Sequence, residues 1–166
     1  MKADKIYLVG FMGAGKSTVA RVLGKRLDWK VEDIDARIER AERRDIPTIF
    51  RDAGEPYFRM REREALLALL PERGVVVASG GGTFADASNR ELMLRDGGVV
   101  WLDAPFTTVL ERLPVDGRRP LAADRLGMEQ LYNQRLAAYR QAHLRVDAGR
   151  GSVEELVDHI MEWLDT

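Results

Sequence analysis

Gly10-Phe11-Met12-Gly13-Ala14-Gly15-Lys16-Ser17 fits the spacing G-x-x-x-x-G-K-[ST], and what flanks it decides the fold. Ahead of it Ile6–Val9 is a short apolar run of strand character, and behind it Ser17–Leu27 carries apolar residues at helical spacing. In a strand–loop–helix unit of this kind the glycines let successive backbone N–H groups turn inward around phosphate. Lys16 neutralises the β and γ oxygens, and the Ser17 hydroxyl can ligate Mg²⁺ at the positive helix N-terminus. A nucleoside triphosphate such as ATP is therefore the expected ligand, held by Gly13, Ala14, Gly15, Lys16, Ser17 and Thr18. The motif leaves open whether water, protein or a small molecule accepts the phosphoryl group.

Working outward, Val75–Ala78 and Val99–Leu102 are continuously apolar, with weaker strand candidates at Lys30–Ile34 and Leu144–Asp147. Between them, helical patterns run over Asp35–Glu42, Glu55–Leu70, Asn89–Arg95, Thr107–Leu113, Gly127–His143 and Val153–Leu164. This alternation predicts a three-layer α/β/α fold, a parallel sheet with helices on both faces. Residues 114–125, with Pro114, Pro120 and no clean period, read as a loop between two helices. The length of 166 residues predicts one domain over residues 1–166.

Basic residues number 26 and acidic ones 27, for a net charge of −1, which argues against nucleic acid or an anionic membrane as the main partner. Cysteine is absent, excluding disulfides, thiolate metal sites and cysteine nucleophiles. The start MKADKIYLVG lacks a signal-peptide apolar region, and no run approaches the roughly 20 apolar residues that span a bilayer. A cytoplasmic protein is expected. His143 and His159 stand alone on helical patterns and are expected to face solvent, and Trp29, Trp101 and Trp163 are expected in the core. The mixed-sign cluster Arg40–Asp45 reads as a solvated helix end.

Several residues downstream of the loop suit an acceptor site. Asp33 and Asp35 lie two apart at a strand end, where extended geometry would send both side chains to the same side; the alternative for Asp35 is a helix N-cap. Arg59 and Arg135 sit in separate helical patterns, where each reads from the local residues as part of a solvated helix face, although a guanidinium fork can also match a carboxylate. Gly80-Gly81-Gly82 follows the strand Val75–Ala78, at the carboxyl end where open α/β sheets bind ligands.

Taken in order, Gly10–Thr18, Asp33-Ile34-Asp35 with Ile38-Glu39, Ile49-Phe50, Gly54-Glu55 with Phe58-Arg59 and Glu62, Gly80-Gly81-Gly82, Asn89-Arg90, Arg119-Pro120-Leu121, and Arg135 with Tyr139 resemble the shikimate kinase family, within the nucleoside monophosphate kinase-like P-loop group. The resemblance spans residues 6 to about 140. It implies a five-stranded parallel sheet of order 2-3-1-4-5, acceptor-binding helices over about 35–64 and a lid over about 114–125. It further implies ATP- and Mg²⁺-dependent phosphorylation of the 3-hydroxyl of shikimate, on the route to chorismate and aromatic amino acids, by a monomer.

By the same resemblance Asp33 helps to hold Mg²⁺ together with Ser17, and Asp35 binds and orients or deprotonates the acceptor hydroxyl. Arg59 and Arg135 grip the shikimate carboxylate, and Gly81 and Gly82 bring backbone to the substrate. Arg119 reaches the transferring phosphoryl group from the lid, Arg112 stacks on adenine, and Arg150 contacts the adenosine. Phe50, Phe58 and Met12 wall the acceptor site. Asp147-Ala148-Gly149-Arg150-Gly151 lacks the proline that usually packs the other face of the base, and the family's glycine is not evident in Arg40–Pro47. The competing readings are another small-molecule kinase, such as one acting on gluconate, or a non-catalytic regulatory relative.

Overall fold

The computed structural model describes residues 1–112 and 122–166. Five strands form one parallel sheet in the order β2-β3-β1-β4-β5: β1 Lys5–Val9, β2 Lys30–Asp33, β3 Val75–Ala78, β4 Gly98–Asp103 and β5 Leu144–Asp147. Pairing sets Leu8 beside Ala78 and Val100, Asp33 beside Ala78, and Asp103 beside Asp147. Because every strand points the same way, all five carboxyl ends open on one edge, with the order reversing about β1, and there the crevice forms.

The helices are α1 Lys16–Leu27, α2 Ile34–Glu42, α3 Ile46–Ala53, α4 Glu55–Leu69, α5 Ala87–Asp96, α6 Phe106–Glu111, α7 Ala122–Tyr139 and α8 Val153–Asp165. Strand alternation shows how they form two outer layers. Lys5 and Tyr7 of β1 reach the ends of α4 and α5, through Leu69 and Asp96, whereas Ile6 lies beside the ring of Trp163 on α8. Val75, Val76 and Val77 of β3 are wholly buried, as a strand covered on both faces must be. No described helix is long and apolar enough to cross a membrane.

The structure corrects several boundaries. The weak second strand stops at Asp33, whose extended backbone and side chain cap α2 by accepting from Ala36 N at 3.0 Å. Asp35 is therefore neither a strand residue nor the cap but lies in the first turn of α2. Helix α3 was not anticipated; Asp45 caps it through Thr48 N and Pro47 stands in its first turn. Helix α7 starts before Gly127 and ends at Tyr139 rather than His143. Trp101 is buried as expected, but Trp29 and Trp163 are only partly so. His143 is exposed over much of its surface, yet its Nδ1 accepts from Val99 N at 2.9 Å.

At the amino ends of the strands lies a charged cluster invisible in the local sequence. Lys5, with no exposed surface, sets Nζ 2.6 Å from Asp96 Oδ2 and donates to the Leu69 carbonyl at 2.6 Å. Tyr7 donates its O–H to the same carboxylate at 2.5 Å, and Arg73 Nη2 lies 2.5 Å from its other oxygen.

Candidate active site

Gly15, at φ 94°, begins α1 in the left-handed region that glycine enters without strain, so the chain turns sharply from loop into helix. Lys16 folds back over the loop, its Nζ donating to the carbonyls of Gly10 (2.5 Å) and Phe11 (3.1 Å). Burial pushes its ammonium down to about 8, Arg135 acting in the same direction and Asp35 and Asp33 against it. Ser17 and Thr18 follow, exposed on the first turn. Ser17 Oγ donates to Asp33 Oδ2 at 3.1 Å, while Asp33 Oδ1 is occupied as the cap of α2.

Among the described residues there is no cluster of three or more His, Cys, Asp or Glu fit to hold a metal. One hydroxyl and one carboxylate oxygen nevertheless suit Mg²⁺, which takes few protein ligands and fills its octahedron with water and phosphate oxygens.

Asp35 lies beside this pair. Burial raises its carboxyl to about 6, the carboxylates of Asp33 and Glu62 add to the rise, and Lys16 opposes it. Its Oδ1 is buried without a hydrogen-bond partner among the described residues. Gly80 makes room for it: a Cβ there would come within 2.9 Å of that same oxygen.

Arg59 and Arg135 meet across the glycine loop although they come from α4 and α7. With Glu55, Gly82, Ala85 and Gln134 they line a cavity of about 400 Å³. Arg59 is held from behind, Nη1 lying 3.0 Å from Oε1 of Glu62, a carboxylate only 1 % exposed that also accepts from Thr83 Oγ1 at 2.8 Å. Arg135 stands over the ring of Phe11 at 5.7 Å, so the phosphate loop and the acceptor side share a wall. Phe50 and Phe58 stack near by with centroids 4.8 Å apart, and Met12 is partly exposed.

On the nucleotide side Arg112 bridges two loops, donating to Gly13 O and Ala148 O, each at 3.0 Å. Arg150 is not drawn into this bridge. It lines a separate cavity of about 310 Å³ with Arg145, Glu155 and His159. Arg119, with the rest of 113–121, lies outside the described residues. Sequence reasoning gave no role to Glu62, although it stands one helical turn from Arg59, a spacing at which opposite charges meet. Nor did it single out Gly80 for Asp35, a contact that local sequence does not signal.

The family model for shikimate kinase matches residues 12–165. The chain belongs to the shikimate kinase family. It is 43% identical to a shikimate kinase of Sulfurihydrogenibium sp., over 94% of this chain and 95% of that one. A solved shikimate kinase of Acinetobacter baumannii in complex with shikimate superposes with a TM-score of 0.90 at 36% identity, covering 97% of this chain and 92% of that one. A gluconokinase of Sinorhizobium meliloti shares the fold alone, with a TM-score of 0.61 at 16% identity over 97% and 91% of the chains. Fold by itself therefore does not separate acceptors in this group.

Proposed function

We propose that this shikimate kinase transfers the γ-phosphoryl group of ATP to the 3-hydroxyl of shikimate, with the site residues dividing the work as follows. The loop N–H groups of Gly13–Thr18 and the Lys16 ammonium take the nucleotide phosphates at the start of α1. Arg59 and Arg135 fix the acceptor through its carboxylate, and Gly81 and Gly82 approach it with backbone. Asp35 receives the acceptor hydroxyl. The new bond forms between that oxygen and the γ-phosphorus as the bond to the β–γ bridging oxygen breaks; ADP leaves, and the hydroxyl proton passes to Asp35.

With its carboxyl near 6, Asp35 is mainly ionised at neutral pH yet basic enough to take that proton. Ser17 and Asp33 would hold Mg²⁺, which when bound neutralises charge on the phosphates. Arg112 presents its guanidinium to the base. Arg119 completes the phosphoryl site in the family pattern.

The observation that carries the acceptor assignment is the cavity lined by both Arg59 and Arg135, with Asp35 linked to it through Glu62, which pairs with Arg59 and acts on the Asp35 carboxyl. The test is ATP-dependent ADP release with shikimate, gluconate, AMP or no acceptor, with and without Mg²⁺. Release with shikimate alone, and only with Mg²⁺ present, is expected. Release with AMP, which has no carboxylate, would displace the two arginines from their role, whereas release with gluconate, itself a carboxylate, would keep them and change the acceptor.

A further inference from the structure

Four residues beyond Arg135, on the same face of α7, Tyr139 turns its hydroxyl onto the glycine loop. Its side chain is 1 % exposed and its ring is tilted against Trp101 with centroids 5.9 Å apart, so packing fixes its position. From there the O–H donates to the Gly81 carbonyl at 2.6 Å.

The consequence follows from peptide planarity. In a trans unit the C=O and N–H point in opposite directions, so holding the Gly81 carbonyl also aims the Gly82 N–H. Among the described residues neither the Gly81 nor the Gly82 N–H has an acceptor. The unit lies between the two guanidinium groups: a Cβ on Gly81 would come within 3.0 Å of Arg135 Nη1, and one on Gly82 within 2.6 Å of Arg59. A side chain at Gly82 would have to push the Arg59 guanidinium aside, and glycine leaves the plane free to rotate. An external hydrogen bond is then what selects one orientation.

We propose that Tyr139 is a positioning residue for the acceptor, its hydroxyl setting the Gly81–Gly82 peptide so that the Gly82 N–H faces the carboxylate gripped by Arg59 and Arg135. The inference rests on the assignment of those arginines to the carboxylate. A ring that only filled space beside Trp101 would need no hydroxyl.

Tyr139→Phe keeps the ring and removes the donor. The KM for shikimate should rise about tenfold while kcat and the KM for ATP stay within about twofold. With an acceptor whose carboxylate is replaced by hydroxymethyl, Tyr139→Phe and the parent enzyme should not differ. Arg59→Ala and Arg135→Ala are run alongside: if neither raises the shikimate KM, the carboxylate assignment itself falls. If both raise it while Tyr139→Phe does not, or if Tyr139→Phe loses equally on both acceptors, the positioning role is overturned. In the unaltered protein the Gly82 amide NMR resonance should shift on adding shikimate and not on adding the hydroxymethyl analogue; an unmoved resonance overturns the proposal whether or not the variant folds.

Discussion

The two ends of the sheet treat buried charge in opposite ways. At the amino ends Asp96 is ringed by donors from Lys5 and Tyr7 of β1 and from Arg73 just before β3, all distant from it in the chain. At the carboxyl ends Asp35 is half-buried, with its Oδ1 buried and unpartnered among the described residues and other carboxylates near by. Burial would raise both acids. It prevails at Asp35, whereas at Asp96 the hydrogen bonds from Lys5, Tyr7 and Arg73 overcome it and hold the carboxyl below its usual value. A satisfied buried charge ties a fold together, and an unsatisfied one is held ready for something that arrives later.

The sharpest way to break this contrast is Asp35→Asn. Activity with shikimate should fall by about 10²–10⁴-fold in kcat, with ATP binding measured by calorimetry unchanged. Stability should move the other way. Because the carboxyl of Asp35 rises from 3.8 to about 6 on folding, its ionisation disfavours the folded state increasingly between those values and fully above them. The amide should therefore stabilise the protein near neutral pH by roughly 3 kcal/mol and do nothing below pH about 4, as read from urea unfolding at each pH. A variant less stable at pH 7 would contradict the account.

Asp96→Ala tests the opposite end. Leaving Lys5 buried without its partner should cost about 3–5 kcal/mol, while kcat and both KM values hold at a temperature where the variant is folded. The pH dependence has the reverse sign: the depressed carboxyl of Asp96 stabilises above the ordinary carboxylate range, and that contribution disappears as pH falls through its lowered value. Loss of activity equal to the loss of stability would show that the two ends are not separate.

Arg135→Ala should raise the shikimate KM about 10–100-fold, the worth of a charge-assisted hydrogen bond, with the ATP KM little changed in the same assay. The smallest effect belongs to His143→Ala, which removes the acceptor for Val99 N–H and should cost less than about 1 kcal/mol. Burial lowers the His143 imidazole, so its contribution is present above the ordinary value and lost as pH falls through the lowered one. The variant should flatten that part of the stability–pH curve.

What the sequence shows and hides follows the range of the interactions. Gly10–Ser17 is legible because strand, loop and helix are contiguous and the loop's chemistry is its own. The sheet order came through resemblance, since parallel pairing leaves no local trace. Asp35 was misread because an acid before a helix suits either cap or strand end, and only the backbone of Asp33, which ends β2, settles that it is the one that caps. The signal for α3 was present in Asp45-Ile46-Pro47, a cap followed by a proline in the first turn, but the helix is too short for its period to stand out. The bond from Tyr139 to Gly81 and the ring of donors about Asp96 join residues far apart in the chain, and no spacing rule reaches them.

The placement of β1 also bears on how the molecule is made. Of the five strands it is translated first, but its two hydrogen-bonding neighbours in the sheet begin at Val75 and Gly98, so neither of its edges can pair until they emerge. During synthesis it must wait, unpaired, until most of the chain has emerged. The glycine-rich loop at the end of β1 is thus translated well before the strands that anchor it.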